Sequence, residues 1–168
     1  MMQMLAAGGM ELLTDHERKA DADNPRGYCE WEPAKQLPQQ PELIDAAEGK
    51  AVKVISQLLP FLPDGRSYKV LFMERPLPEV LASQKEMLRR RGAVDAAKDE
   101  VMAGLFTKHL QEIRERIAGR MPVLFVAYPK LISEPVALAE GVRDFLGTEL
   151  DVRAMATQAD PGLYRNRR

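Results

Sequence analysis

Cysteine is almost absent from this sequence, because Cys29 is the single one among 168 residues. No internal disulfide and no cysteine-based zinc site can form, so a reducing, cytoplasmic setting is expected. Charge of one sign is also lacking, since 24 Lys and Arg residues balance 25 Asp and Glu residues. The resulting net charge of −1 argues against a broad nucleic-acid-binding surface, although local basic patches are compatible with it.

Long apolar runs are missing as well. The opening segment MMQMLAAGGM lacks the basic region of a signal peptide and is too short to span a membrane. No internal repeat is visible, and no group of His, Asp and Glu has the spacing of metal ligands. No metal is therefore expected. The length predicts one domain over residues 1–168, large enough to bury a core. Its oligomeric state cannot be read from the sequence.

The hydrophobic pattern alternates between strands and helices. The polar residues 15–31 predict a long loop, and such loops in compact domains are usually functional. The predicted strands after residue 49 are nearly continuous apolar runs, as in a parallel sheet covered on both faces. The pattern predicts an α/β fold, with three α/β/α layers around a parallel sheet. Strands are predicted at 10–14, 50–56, 68–75 and 122–128, and helices at the N-terminus and at 32–37, 42–49, 75–92, 95–119, 133–147 and 150–160.

The stretch YKVLFMERPLPEVLASQ (68–84) carries the clearest signal of a site. Its predicted strand ends at Arg75, a proline-rich turn follows, and Ser83 lies eight residues on, within the next helix. Ligands of open parallel sheets bind where strands end, and a guanidinium can grip a phosphate with two parallel hydrogen bonds. A surface salt bridge for Arg75 and a serine bonded back to a carbonyl explain the pair equally well when it is taken alone.

Arg75 and Ser83, at this spacing and across a strand-to-helix turn, resemble the 3′-phosphate-binding signature of sulfotransferases that use 3′-phosphoadenosine 5′-phosphosulfate (PAPS). The segments TDHERKADADNPRGYCEWEP, KAVKVISQLL and DPGLYRNRR are similar to a bacterial branch of that superfamily, so the resemblance extends over nearly the whole chain. It implies a P-loop nucleoside-triphosphatase-like fold. It also implies in-line transfer of a sulfuryl group from PAPS to a hydroxyl or amine acceptor, without a metal and with 3′-phosphoadenosine 5′-phosphate (PAP) as the product.

The resemblance implies that Arg75 and Ser83 hold the 3′-phosphate of PAPS. It further implies that Arg165 or Arg167, in the terminal YRNRR, folds back onto that phosphate. A disordered basic terminus is the alternative for this segment. In the Asn24–Gly27 turn, the functional interpretation places Arg26 near an anionic ligand, and a plain turn is the alternative.

A base must take the proton of the acceptor, and sulfotransferases use His or Glu for this step. His16, Glu30 and Glu32 lie on or beside the predicted loop and are the candidate bases. The neighbouring aromatic residues Tyr28 and Trp31 could raise a carboxyl pKa. A solvated loop charge is the competing interpretation for each candidate, and His109 is expected to be a surface residue. The acceptor, whether a small molecule, a glycan or a lipid, is not identified by the sequence.

The resemblance also implies a segment that this sequence does not contain. In such proteins the first helix follows a strand and a G-x-P-R-S-G-T-S loop, which wraps the 5′-phosphosulfate. Met1, Met4 and Leu5 already form a helical apolar stripe, and no PRSGT-like segment occurs elsewhere. We therefore expect an N-terminally incomplete domain with unpaired central strands and little or no transferase activity. A start assigned to an internal methionine is favoured over a true truncation, because the remaining strands contain no obvious breakdown.

Two other functions are compatible with the sequence. A P-loop kinase would share the fold, but it needs a lysine in the phosphate loop and an acidic strand end that holds Mg²⁺. The predicted strands end instead in Ser56, Arg75 and Tyr128. A non-enzymatic nucleotide-binding remnant would retain only the 3′-phosphate site.

Overall fold

The computed structural model describes residues 1–15, 17–21, 24–90, 92 and 99–164 of the chain. Within these ranges helices alternate with short strands, so the predicted α/β class is confirmed. The 3₁₀ helices lie at Glu32–Gln36, Pro41–Ala47, Ser56–Phe61 and Pro161–Leu163. The remaining elements are α1 (Met2–Ala7), β1 (Leu12–Leu13), β2 (Ala51–Val52), β3 (Val70–Glu74), α2 (Leu77–Arg90), α3 (Asp99–Ile117), β4 (Val123–Ala127), α4 (Tyr128–Ser133), α5 (Pro135–Leu146) and α6 (Val152–Ala156).

The strands pair in parallel, as predicted, but the pairing is divided between two sheets. β1 pairs with β2 over two residues, with Leu12 opposite Ala51. β3 pairs with β4 over five residues, from Val70 opposite Val123 to Glu74 opposite Ala127. Among the described residues, no ladder joins the two pairs into the single sheet that the sequence predicts.

Two apolar clusters pack against both strand pairs. Successive strand residues point to opposite faces, so Phe72 joins the first cluster and its neighbour Leu71 joins the second. Val52 and Ala51 of β2 divide in the same way. The first cluster is completed mainly by α3 and the 3₁₀ helices, and the second by α1, α4, α5 and α6. Buried members of the first include Leu37, Ile113 and Ile117, and those of the second include Met4, Val142 and Met155.

Several predicted elements differ from the structure in extent, and the strand predicted at 10–14 comprises only Leu12–Leu13. The strand predicted at 50–56 is only two residues long, and Ser56 already begins a 3₁₀ helix. The helix predicted at 133–147 is preceded by a separate helix, α4, and the two are divided at Glu134. Glu134 adopts φ −133° and ψ 54°, because the ring of Pro135 disfavours a helical conformation in the residue before it.

Gly8 marks the contact between the first and last α-helices. A Cβ atom at this position would lie 2.7 Å from Cγ of Met155, which is fully buried in α6. The backbone N–H of Asp151, the residue that caps α6, also donates to the Gly8 carbonyl at 3.1 Å. The glycine therefore allows α6 to approach the end of α1 closely. None of the described helices combines the length and apolarity needed to cross a bilayer.

Candidate functional site

Arg75 and Ser83 lie on the wall of one cavity. Arg75 is the first residue after β3, and Ser83 lies in the second turn of α2. The cavity measures about 300 Å³ and is called the Arg75 cavity below. Its lining is completed by residues of α2 at helical spacing, which places them on one face of the helix: Val80, Gln84 and Met87. The two residues predicted to bind phosphate are therefore brought together.

The Arg75 guanidinium is held from two sides. Its Nε donates to Oε2 of Glu79 at 3.0 Å, and Glu79 is only 4% exposed. Its central carbon lies 5.3 Å from the ring centre of Tyr128 and 5.4 Å from that of Tyr164, within the range of cation–π attraction. The two rings are themselves in edge-on contact, with centres 5.3 Å apart.

These contacts leave hydrogen-bond donors at the cavity. The bond to Glu79 is made by Nε, and no described residue accepts a hydrogen bond from the terminal nitrogens of Arg75. The half-buried hydroxyl of Ser83 likewise has no hydrogen-bond partner among the described residues. A guanidinium with free terminal nitrogens and a nearby hydroxyl can together bind an anionic oxygen group, such as a phosphate.

A second cavity, of about 350 Å³, lies along the loop that follows β1. We call it the loop cavity. Both of its lining residues Arg18 and Arg26 are ion-paired, with Glu30 and with Asp160, whereas Arg75 is ion-paired with Glu79 through Nε alone. Its lining comprises Gln3, Leu12, Thr14, Asp15, Arg18, Lys19, Ala20, Arg26, Gly27, Tyr28, Cys29 and Glu30.

Glu30, one of the candidate bases, lines the loop cavity between two cations. Its carboxylate lies 3.2 Å from Nζ of Lys53 and 3.4 Å from Nη1 of Arg18. Partial burial by itself would raise the pKa of Glu30, but the hydrogen bonds and charges of Lys53 and Arg18 outweigh it and lower the pKa. The expected rise in pKa beside the aromatic residues is therefore wrong for Glu30. A carboxylate with a lowered pKa is ionised at neutral pH and is a weak proton acceptor.

The other site predictions have different outcomes. Glu32 forms an ion pair with Lys35 at 2.5 Å and lines neither of the two cavities. His16, Arg165 and Arg167 lie outside the described residues. Among the residues that the structure does describe, no group of three or more His, Cys, Asp or Glu side chains is arranged to hold a metal ion.

Arg26 ties the loop cavity to the C-terminal segment. Its guanidinium donates to the carbonyl of Gln158 at 2.8 Å and pairs with Asp160 at 2.9 Å. Asp160 caps the last 3₁₀ helix through the N–H of Gly162, and Tyr164 follows that helix against Arg75. Since Tyr164 comes four positions after Asp160, their Cα atoms lie at most about 14 Å apart. A short segment thus contacts one lining residue of each cavity, Arg26 and Arg75.

His109 is not the surface residue that the sequence predicts. It is half-buried on α3, and its Nε2 lies 2.8 Å from the hydroxyl of Ser56. A serine bonded to a histidine is the beginning of a nucleophile–base pair, but neither residue lines one of the two cavities. The bond therefore links the 3₁₀ helix that begins at Ser56 to α3.

Sequence reasoning missed three residues that surround Arg75. Glu79 lies four residues after Arg75, a spacing that brings side chains together on a helix, so its contact could have been anticipated. Tyr128 is the first residue of α4, directly after β4, and Tyr164 belongs to the C-terminal segment. No local pattern connects them to Arg75, because the contact arises from the packing of elements distant in sequence.

Comparison with known proteins identifies no relative of this chain. No protein-family model matches the chain, and neither the curated proteins nor the solved structures include a significant match. The functional interpretation therefore depends on the residues of the chain and on the geometry of its two cavities.

Proposed function

We propose that this chain is a sulfotransferase-type domain whose Arg75 cavity binds the 3′-phosphate of PAPS and of its product PAP. The observation that carries this proposal is that Arg75 and Ser83, eight residues apart in the sequence, line the same cavity and have hydrogen-bond donors that no described residue accepts from. Two terminal guanidinium nitrogens and one hydroxyl match the acceptor oxygens of a phosphomonoester. The beginning of α2, close to Arg75, adds partial positive charge.

The remaining lining of the Arg75 cavity suits a nucleoside attached to that phosphate. Val80 and Met87 supply apolar surface, and Gln84 supplies an amide that can both donate and accept hydrogen bonds. Ligand cavities commonly combine apolar walls with a few directed polar groups. The cavity thus fits a phosphorylated nucleoside better than a free inorganic anion.

The proposed fold is the three-layer P-loop arrangement with a parallel sheet in its middle layer. Its support is that both parallel strand pairs contribute to both apolar clusters, so that helices pack on either face. In the proposed fold, the two parallel strand pairs found among the described residues belong to that one middle layer.

In the proposed reaction, PAPS supplies the sulfuryl group when it is bound. The loop cavity would hold the hydroxyl or amine acceptor, because it lies along the segment whose sequence carries the candidate bases, and because the segment from Asp160 to Tyr164 links its residue Arg26 to Arg75. Glu30 is ion-paired, and Glu32 lies outside the cavity lining, so His16 becomes the candidate to test first.

The test compares the binding of PAP and adenosine 5′-monophosphate (AMP), which lacks the 3′-phosphate, by titration calorimetry. Arg75→Ala should weaken PAP binding by roughly 2–3 kcal/mol, because a charge-assisted hydrogen-bond pair is lost. It should leave AMP binding unchanged. Arg89→Ala is the matched control, since Arg89 lies near the far end of α2 and pairs with Glu86 at the surface. An unchanged PAP affinity in Arg75→Ala would refute the assignment of Arg75.

Thermal melting separates the proposal from the kinase alternative. Selective stabilisation by PAP supports a sulfotransferase-type site, because a ligand that binds only the folded state raises the melting temperature. Stabilisation by ATP with Mg²⁺, but not by PAP, would instead indicate phosphoryl transfer. ADP without Mg²⁺ is the control for general nucleotide binding.

A further inference from the structure

A buried carboxylate lies behind the Arg75 cavity, and the proposed function does not use it. Glu79 is 4% exposed, in the first turn of α2, and it is not among the residues that line the cavity. A charged group is removed from water at a high cost unless it is paired and hydrogen-bonded. Such a residue therefore has a defined partner, and its partners indicate what it does.

The two oxygens of Glu79 bind different partners. Oε2 accepts from Nε of Arg75 at 3.0 Å, and Oε1 accepts from the hydroxyl of Tyr164 at 2.5 Å. The Tyr164 ring also lies against the guanidinium of Arg75. One carboxylate thus fastens both the cation and one of the rings that contact it.

The hydrogen bond to Glu79 uses Nε of Arg75 and neither of its terminal nitrogens. Binding at Nε leaves both terminal nitrogens of the fork for two parallel hydrogen bonds to an anion. A long arginine side chain that is fixed before binding loses less conformational freedom when the ligand arrives. The contacts of Glu79 and Tyr164 therefore prepare Arg75 for an anion without occupying its terminal donors.

We propose that Glu79 is a positioning residue, which acts with Tyr164 to hold Arg75 in the orientation that binds the 3′-phosphate. This inference rests on the proposed function of the Arg75 cavity. Tyr164 is suited to the role because its segment is fixed upstream, where Arg26 binds Asp160 and the carbonyl of Gln158. The phosphate site of this chain thus includes a C-terminal residue that does not itself line the cavity.

The ratio of PAP to AMP affinity measures this role, because the two ligands differ only in the 3′-phosphate. Glu79→Ala should lower the ratio about tenfold, and Tyr164→Phe about threefold, with AMP affinity unchanged. Glu79→Gln should lose less than Glu79→Ala, since an amide oxygen can still accept from Nε of Arg75. Glu86→Gln is the matched control and should leave the ratio unchanged, because Glu86 lies on the same helix, outside the cavity lining, and pairs with Arg89.

A merely structural role would give a different result. It would lower the affinities for PAP and AMP together and leave their ratio constant, which would overturn the proposal. If Glu79→Ala does not fold, Tyr164→Phe carries the test, since it removes a single oxygen atom. A wild-type ratio of one would mean that the cavity does not recognise the 3′-phosphate, and the proposed function itself would then fail.

A measurement without ligand keeps the two failures apart. The ¹H–¹⁵N nuclear Overhauser effect of Nε reports whether an arginine side chain is rigid on the nanosecond timescale, and Arg75→Lys identifies the signal. The Arg75 Nε should be rigid in the wild type and in Glu86→Gln, and more mobile in Tyr164→Phe and Glu79→Ala. A mobile Nε in the wild type, or one that stays equally rigid in both variants, would contradict the positioning role whether or not PAP binds.

Discussion

The Arg75 cavity and the loop cavity are similar in volume but differ in how their charges are satisfied. In the Arg75 cavity, one guanidinium is fastened through Nε, and its terminal nitrogens have no hydrogen-bond partner among the described residues. In the loop cavity, Glu30 is bound by two cations, and Arg26 is bound by Asp160 and a carbonyl. Similar residue types therefore leave donors available in one place and use them internally in the other.

Because of this difference, we expect the charged side chains of one cavity to serve ligand binding and those of the other to serve protein stability. An anion that enters the Arg75 cavity meets donors already in position, so it displaces no described hydrogen-bond partner of the terminal nitrogens. A ligand in the loop cavity would have to compete with ion pairs that the protein has already formed, and breaking them leaves partly buried charges unpaired. We expect charge substitutions to change ligand affinity at the Arg75 cavity and mainly protein stability at the loop cavity.

After Arg75→Ala, the largest expected effect is that of Arg75→Lys, which keeps the positive charge but removes the planar fork. PAP binding should weaken by about 2 kcal/mol, because an ammonium cannot form the two parallel bonds of a guanidinium. Calorimetry with PAP and AMP measures the change. If the lysine variant bound PAP as tightly as the wild type, charge alone would account for phosphate binding. The orientation of the guanidinium would then not distinguish the two cavities.

Glu30→Gln should lower protein stability and leave ligand binding unchanged, which is the reverse of what we expect for Arg75→Lys. The unfolding free energy at pH 7 should fall by about 1 kcal/mol, because Lys53 and Arg18 lose a shared counterion. PAP affinity should not change. Urea denaturation measures the first quantity and calorimetry the second, with Glu11→Gln, in a more exposed pair with Lys50, as the control. A loss of PAP affinity without loss of stability would contradict the structural role of Glu30.

The contribution of Glu30 to the unfolding free energy should depend on pH. The pKa of Glu30 is lower in the folded protein than its ordinary value of 4.5, so the folded state favours the ionised carboxylate. Its stabilising contribution is therefore complete above that ordinary value and is lost as the pH falls through the folded-state pKa. The stability difference between wild type and Glu30→Gln should shrink on acidification below about pH 4. A constant difference down to pH 2 would show that the carboxylate charge is not responsible.

Ser83→Ala tests the second residue of the phosphate site. It should weaken PAP binding about threefold, because a neutral hydroxyl contributes less than a charged donor. Gln84→Ala, one residue away and in the same cavity, provides the comparison. If Gln84→Ala weakened PAP binding more than Ser83→Ala, the phosphate would lie further along α2 than the proposal states.

Glu32→Gln should have the smallest effect of the series. Its partner Lys35 is well exposed, and ion pairs between exposed side chains contribute little to stability. The melting temperature should shift by less than about 2 °C, and PAP affinity should remain unchanged. A large drop in transferase activity, in any longer form of the protein that is active, would restore Glu32 as a candidate base.

The sequence predicted the Arg75 site better than it predicted the loop. Arg75 and Ser83 belong to one strand–turn–helix unit, so their proximity follows from local geometry and from the spacing of residues on a helix. The state of Glu30 was not predictable in the same way. Its neighbours in sequence are aromatic and indicated a raised pKa, but Lys53 and Arg18, which reach it through the fold, lower the pKa instead.

The bounds of some helices and strands were also predicted more closely than those of others. Helix α3 and strands β3 and β4 were predicted closely, because long apolar periodicities determine where such elements lie. The strand predicted at 50–56 was too long, since a run of β-branched residues indicates a strand but not how much of it finds a pairing partner. The separate helix before Pro135 was missed, although the proline itself marks the break.

By itself, the sequence determined the α/β class, the order of the helices and strands, and the common placement of Arg75 and Ser83. Each of these depends on periodicity or on residues a few positions apart, which a linear pattern records. Only the tertiary structure decided that Glu79 and Tyr164 hold Arg75, that Glu30 is ion-paired, and that the parallel strands form two pairs. Those features depend on contacts between distant segments, and such contacts are selected by packing and by the need to pair buried polar groups.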